Sequence, residues 1–190
     1  DLKYFDGLPT YVGLLSFAGN DGKHRADGSG LQPGPNDGGG DPIFKIPAGV
    51  ADHRESMIIK IGQGYPDVRV FAAGTHMHYV GTAMKVSLKR GNPLPGEPAE
   101  ECLVETPTWD FGWQRAYQYD APLDEVPVAR AGDEVHVRCD YNNSMSNPFV
   151  LRALQEQGLD APVDVYLGEE TLDEMCLGIF GIAIKLSDLL

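Results

Sequence analysis

The sequence predicts an all-β fold, an antiparallel β-sandwich of jelly-roll type with one short helical insertion. Three observations lead there. Short apolar runs, several of them alternating with period two, recur along the chain. Clusters of Gly, Pro, Asn and Asp punctuate them, and only one segment carries convincing helix start and stop signals. The 190 residues, 42% of them hydrophobic, suffice for one good-sized domain with a real core. No internal repeat or second boundary divides residues 1–190.

Residues 1 to about 20 place Leu8, Tyr11, Val12, Leu14, Leu15 and Phe17 among turn residues and read as a strand entering the fold. From Gly19 to Asp41 the chain is dense in Gly, Asp, Asn and Pro, the composition of a long surface loop or a flexible linker, with His24 a solvated loop residue. Short strands are expected at Pro42 to Pro47 and Ser56 to Ile61. The run Val68–Ala72 is another, leading into Ala73-Gly74-Thr75-His76-Met77-His78-Tyr79-Val80-Gly81. Met84, Val86 and Leu88 alternate inward, Gly91 to Pro98 is a proline-rich loop, and Leu103–Glu105 is extended again. Both tryptophans fall in Trp109-Asp110-Phe111-Gly112-Trp113-Gln114, near Tyr117 and Tyr119, as a core or loop plug.

In Glu134 to Tyr141 the inward set is Val135, Val137, Cys139 and Tyr141, which leaves His136 on the surface. Asn147-Pro148 opens the helix with a good cap and a proline at its first position; Leu151, Leu154 and Gln155 follow, and Gly158 ends it. Val163 to Leu167 reads as a strand. Thr171 to Glu174 has capping-box spacing and suggests one helical turn. Cys176 to Leu186 is apolar on both faces and is expected at the centre of a sheet.

A net charge of −13 argues against nucleic acid and anionic membrane surfaces as partners. No apolar run reaches membrane-spanning length, and no signal segment is present. A first residue of Asp1 rather than Met suggests a mature form or an excised fragment. Cys102, Cys139 and Cys176 allow at most one internal disulfide, suit either redox compartment, and include no Cys-x-x-Cys zinc pair. Serine-hydrolase and phosphate-loop motifs are absent.

The chemistry centres on His76-Met77-His78. On a strand the two imidazoles share a face, a good start on a site for copper, zinc, iron or nickel. One exposed histidine and one hydrogen-bonded core histidine is the other reading, and the motif alone leaves both open.

Gly168-Glu169-Glu170-Thr171-Leu172-Asp173-Glu174-Met175-Cys176 resembles the copper-ligand segment of the copper type II, ascorbate-dependent monooxygenases, the family of peptidylglycine α-hydroxylating monooxygenase and dopamine β-monooxygenase. The segments Gly74–Gly81, Trp109–Gln114 and Ala131 to Ser144 resemble the same family, in its order, over roughly residues 50–185, most like bacterial members. The resemblance implies the C-terminal catalytic domain, an antiparallel β-sandwich, with one copper held by His76, His78 and Met175. A thioether favours Cu(I), the state that meets O₂. The implied reaction is C–H hydroxylation of a small molecule or peptide, driven by ascorbate or another one-electron reductant. The resemblance also pairs Cys139 with Cys176, leaves Cys102 free, and implies an extracytoplasmic, oxidising location.

Three departures qualify it. The peptide-hydroxylating members have an arginine where this chain has Gly74 and a tyrosine where it has Ile179, both holding a substrate carboxylate. Full enzymes also carry a preceding three-histidine, electron-supplying copper domain, and the remaining His24, His53 and His136 lack its spacing. Two alternatives follow: a copper-binding module or carrier without hydroxylase activity, and a cupin-type metal enzyme. The cupin pattern expects a glutamate soon after His-x-His, and Tyr79–Ala83 offers none.

Overall fold

The computed structural model describes residues 2–5, 8–19 and 21–189, without side chains at 2–5, 8–10, 17 and 18. Asp1 and the side chains of Leu8 and Phe17, both named in the entering strand, lie outside that description. Thirteen strands and one α-helix follow in order: β1 Leu2–Phe5, β2 Leu8–Gly19, β3 Gly30–Leu31, β4 Lys45–Ile46, β5 His53–Lys60, β6 Val68–His76, β7 Gly81–Lys89, β8 Glu100–Thr106, β9 Ala116–Gln118, β10 Val128–Ala129, β11 Glu134–Tyr141, α1 Pro148–Gln157, β12 Val165–Tyr166 and β13 Leu177–Lys185.

Two antiparallel sheets make the sandwich. One runs β1-β2-β13-β6-β10, with β9 also paired to β6; the other runs β3-β5-β11-β7-β8. The core lies between them and follows from strand alternation. Met84, Val86 and Leu88 of β7 pair with Cys139, Val137 and Val135 of β11, and all six are buried. As expected, β13 is central, flanked by β2 and β6.

Several boundaries differ from expectation. The entering segment is a hairpin, β1–β2, rather than one strand. The long 19–41 loop includes β3, whose Leu31 is buried beside β5. The strands expected at 42–47 and 163–167 shrink to β4 and β12, which pair with each other. β5 starts at His53, because His53 and Glu55 occupy inward positions as a buried pair with Nε2 2.8 Å from Oε1.

α1 begins and ends as the sequence indicates. The Asn147 side chain accepts from the Phe149 amide at 3.0 Å, and Gly158 closes the helix at φ 68°. Its buried stripe is Val150, Ala153 and Leu154, so Leu154 is inward while Leu151 and Gln155 are not buried. Among the described residues no helix is long and apolar enough to cross a membrane. Cys139 and Cys176 form a disulfide between β11 and the start of β13, and Cys102 is free and exposed on the edge strand β8.

Candidate metal centre

β6 delivers the first histidine and then stops. His76 is its last residue; Met77 turns fully into the core, and His78 lies beyond the strand. The expected shared face nevertheless survives. The two rings lie 5.3 Å apart at 87°. Strand geometry ends there because the His78 amide donates to the Glu174 side chain instead of a backbone carbonyl. The chain then turns through Tyr79–Val80 into β7 of the other sheet.

The third residue precedes β13. Leu177, the first residue of β13, is opposite His76, the last of β6, and Met175 lies two residues before Leu177. Met77 and Cys176 are both fully buried, whereas His76, His78 and Met175 are partly exposed. Met175 is half-buried; its carbonyl accepts from the Tyr141 hydroxyl at 3.1 Å, and the Cys139–Cys176 disulfide anchors its neighbour. The ends of β6 and β13 thus bring the backbone of the His76–His78 segment and that of Met175 together, joined through the Glu174 side chain.

Both imidazoles are held through Nδ1. His76 Nδ1 lies 2.6 Å from Gln114 Oε1, and His78 Nδ1 lies 3.0 Å from the Asp173 carbonyl. A carbonyl oxygen only accepts, so each Nδ1 donates, and in the neutral ring that tautomer leaves the lone pair on Nε2. Gln114 is oriented in turn, since its amide nitrogen donates to the Phe111 carbonyl at 3.0 Å. Trp109 Nε1 donates to the His78 carbonyl at 3.0 Å, and the Phe111 ring meets His78 edge-on at 6.2 Å. Burial pushes His78 below its ordinary value, with the Asp173 carbonyl opposing, which favours the neutral, metal-binding form.

The expected aromatic plug is thus divided. Trp109 is buried against the site, whereas Trp113 is 61% exposed beneath the Arg115 guanidinium. Sequence reasoning quoted Trp109 and Gln114 without assigning them these roles. It missed Asp173 because that residue acts through its backbone.

Glu174 departs most from expectation. Thr171–Glu174 forms a turn rather than a helical turn, and Glu174 is fully buried. Its Oε1 accepts the amides of His78 and Met175, the latter at 2.7 Å, and so joins the two ligand segments. Oε2 has no hydrogen-bond partner, although the amides of Val80 and Gly81 also face the carboxyl and favour its charge. Burial wins and pushes the group up to about 8. The folded state then holds a proton that the unfolded state releases above the ordinary value of 4.5. This contribution to stability is complete below that value and is lost as pH rises towards about 8. In copper-free protein, denaturant titrations should show wild type losing stability relative to Glu174→Gln across this window, at up to about 1.4 kcal/mol per pH unit. A constant difference would refute the assignment. Burial of His78 has the opposite sign, and because both proteins share it the comparison isolates Glu174.

The remaining histidines are separate. His24 Nδ1 meets the Leu31 carbonyl, His53 pairs with Glu55, and half-buried His136 bonds Glu134. Among the described residues no cluster of three or more His, Cys, Asp or Glu is arranged for a metal. Gly74 and Ile179 prove to be cross-strand partners, one step along the same face from His76 and Leu177. A Cβ at Gly74 would stand 2.9 Å from the Arg115 carbonyl, so β9 leaves little room there for a side chain. The chain matches no family model and no curated protein.

Proposed function

We propose that this chain is the oxygen-binding copper domain of a copper-dependent monooxygenase, with His76, His78 and Met175 holding one copper. The observation that carries the reading is the pair of adjacent imidazoles, each with Nδ1 committed to a carbonyl oxygen, beside a backbone segment bearing Met175 that Glu174 ties to His78. Two neutral imidazoles and a thioether form a soft donor set that suits Cu(I) over zinc or magnesium. Copper bound there would supply the one-electron chemistry that activates O₂ for C–H hydroxylation. The chain's own contribution is orientation. Gln114 and Asp173 fix the tautomers, Trp109 holds the His78 backbone, and Glu174 with the disulfide fixes the Met175 segment.

The Gly74–Ile179 pair carries no charge or hydroxyl with which to hold a carboxylate, so the substrate reading favours an uncharged C–H compound over a peptide C-terminus. The disulfide favours an extracytoplasmic location. Ascorbate or a similar reductant is the electron source, through a preceding electron-transfer copper domain.

Turnover tests the reading. Hydroxylation needs two electrons per O₂, and one copper delivers one, so the 190-residue chain alone should show little ascorbate-driven hydroxylation. Joined to a three-histidine copper domain it should hydroxylate with coupled O₂ use, and Met175→Ala should abolish this while the fold survives. Rapid turnover by the chain alone would refute the two-domain arrangement. Inactivity of the joined protein across varied C–H substrates, with tight Cu(I) binding intact, would replace the proposal with a copper carrier or module.

A further inference from the structure

Behind both ligand segments lies a small cavity that the copper chemistry does not use. Val150, Ala153 and Leu154 of α1 and Val165 of β12 form its far wall; Val80, just after His78, and Leu172, just before Asp173, form the near wall. It offers about 10 Å³ for the centre of a water-sized molecule, which is room for one.

Its chemistry disfavours water. A buried water needs two to four polar partners. Apolar atoms make up most of its surface, although Tyr79, Thr171 and Asp173 also line it, and the one side-chain amide, Asn143 Nδ2, is committed to the carbonyls of Ile46, Pro47 and Val163 at 3.2, 3.1 and 2.8 Å. The Asp173 carbonyl accepts from His78, and its Oδ2 accepts from the Glu170 amide. None of the buried side-chain polar atoms left unpaired among the described residues belongs to the lining. An apolar diatomic fits such a space by size and by lack of hydrogen bonding.

We propose that this cavity is a dioxygen-binding site, which keeps O₂ against the backs of the segments bearing His78 and Met175. The binding step stands on the cavity alone; its use in supplying O₂ rests on the monooxygenase reading above.

Dissolved O₂ is paramagnetic, so methyl NMR of the copper-free protein under O₂ pressure reads occupancy directly. Methyl groups of Val150, Ala153, Leu154 and Val165 should relax several-fold faster than those of the equally buried Val86 and Val137 between the sheets. Ala153→Val should remove the excess; should that variant fail to fold, Val165→Ile narrows the same space with less strain. In the joined two-domain enzyme the narrowed variant should raise KM for O₂ several-fold, with Cu(I) affinity and KM for the C–H substrate unchanged. Equal relaxation in all buried methyls, or nuclear Overhauser contacts from the cavity methyls to a resident water, would overturn the site. An unchanged KM for O₂ in a narrowed variant would overturn the supply role. Failure of the protein to bind copper would sink the monooxygenase reading and leave the NMR result standing.

Discussion

Under the proposed site, replacing His78 with alanine should abolish high-affinity Cu(I) binding, and His76→Ala should do the same. Either substitution removes one of two imidazoles whose rings lie 5.3 Å apart, and would leave a single nitrogen with the proposed thioether. Competition with a Cu(I) chelator measures the loss, against one equivalent bound per wild-type chain. Gln114→Leu keeps both imidazoles but frees His76 Nδ1 from its 2.6 Å contact. It should weaken binding by about 10–100-fold, as loss of an outer hydrogen-bond partner commonly does. His136→Ala should change nothing, because His136 bonds Glu134 on a β11 face away from the core. Two equivalents per chain, or zinc displacing Cu(I), would refute the site.

Removing the disulfide with paired Cys139→Ala and Cys176→Ala substitutions should destabilise the protein by roughly 2–5 kcal/mol in denaturant titrations. Both residues are fully buried, so two small cavities add to the loss of the crosslink. The bond also fixes the residue next to Met175, so Cu(I) affinity should fall towards that of Met175→Ala. Cys102→Ala lies on an exposed edge and should leave both quantities unchanged. Peptide mapping without reduction supplies the independent check; a bridge containing Cys102 would overturn the pairing.

What was legible depended on whether a signal was local. The alternation of β7 and β11 and the Asn147 and Gly158 caps are properties of a few consecutive residues, and each is realised. β5 was cut short because its first inward positions are His53 and Glu55; a polar pair that satisfies itself in the core looks like loop. Glu174 misled for the same reason. Its spacing from Thr171 suggests a local cap, whereas its carboxylate serves the His78 amide. The His76 and His78 face was predicted from a strand that in fact ends at His76. The rings stay together because Met77 is drawn fully into the core and the His78 amide is held by Glu174, a contact no short window contains. The significance of Gly74 and Ile179 likewise emerges only when the ladder sets them side by side.

That ladder has a kinetic consequence. His78 and Glu174 are 96 residues apart in the chain, so the histidine and Met175 segments come together only after a distant strand pairing has closed. Closing such a loop is slow, and the unfolded chain cannot present the three donors together. Copper at the proposed site would therefore bind the native state and add stability by mass action. Where the β6–β13 pairing forms after the folding barrier, that stability resides in the unfolding limb of a chevron plot, while the refolding limb of metal-free and metal-loaded protein coincides. A metal at the proposed site would then act as a latch on a finished sandwich rather than as a template for building it.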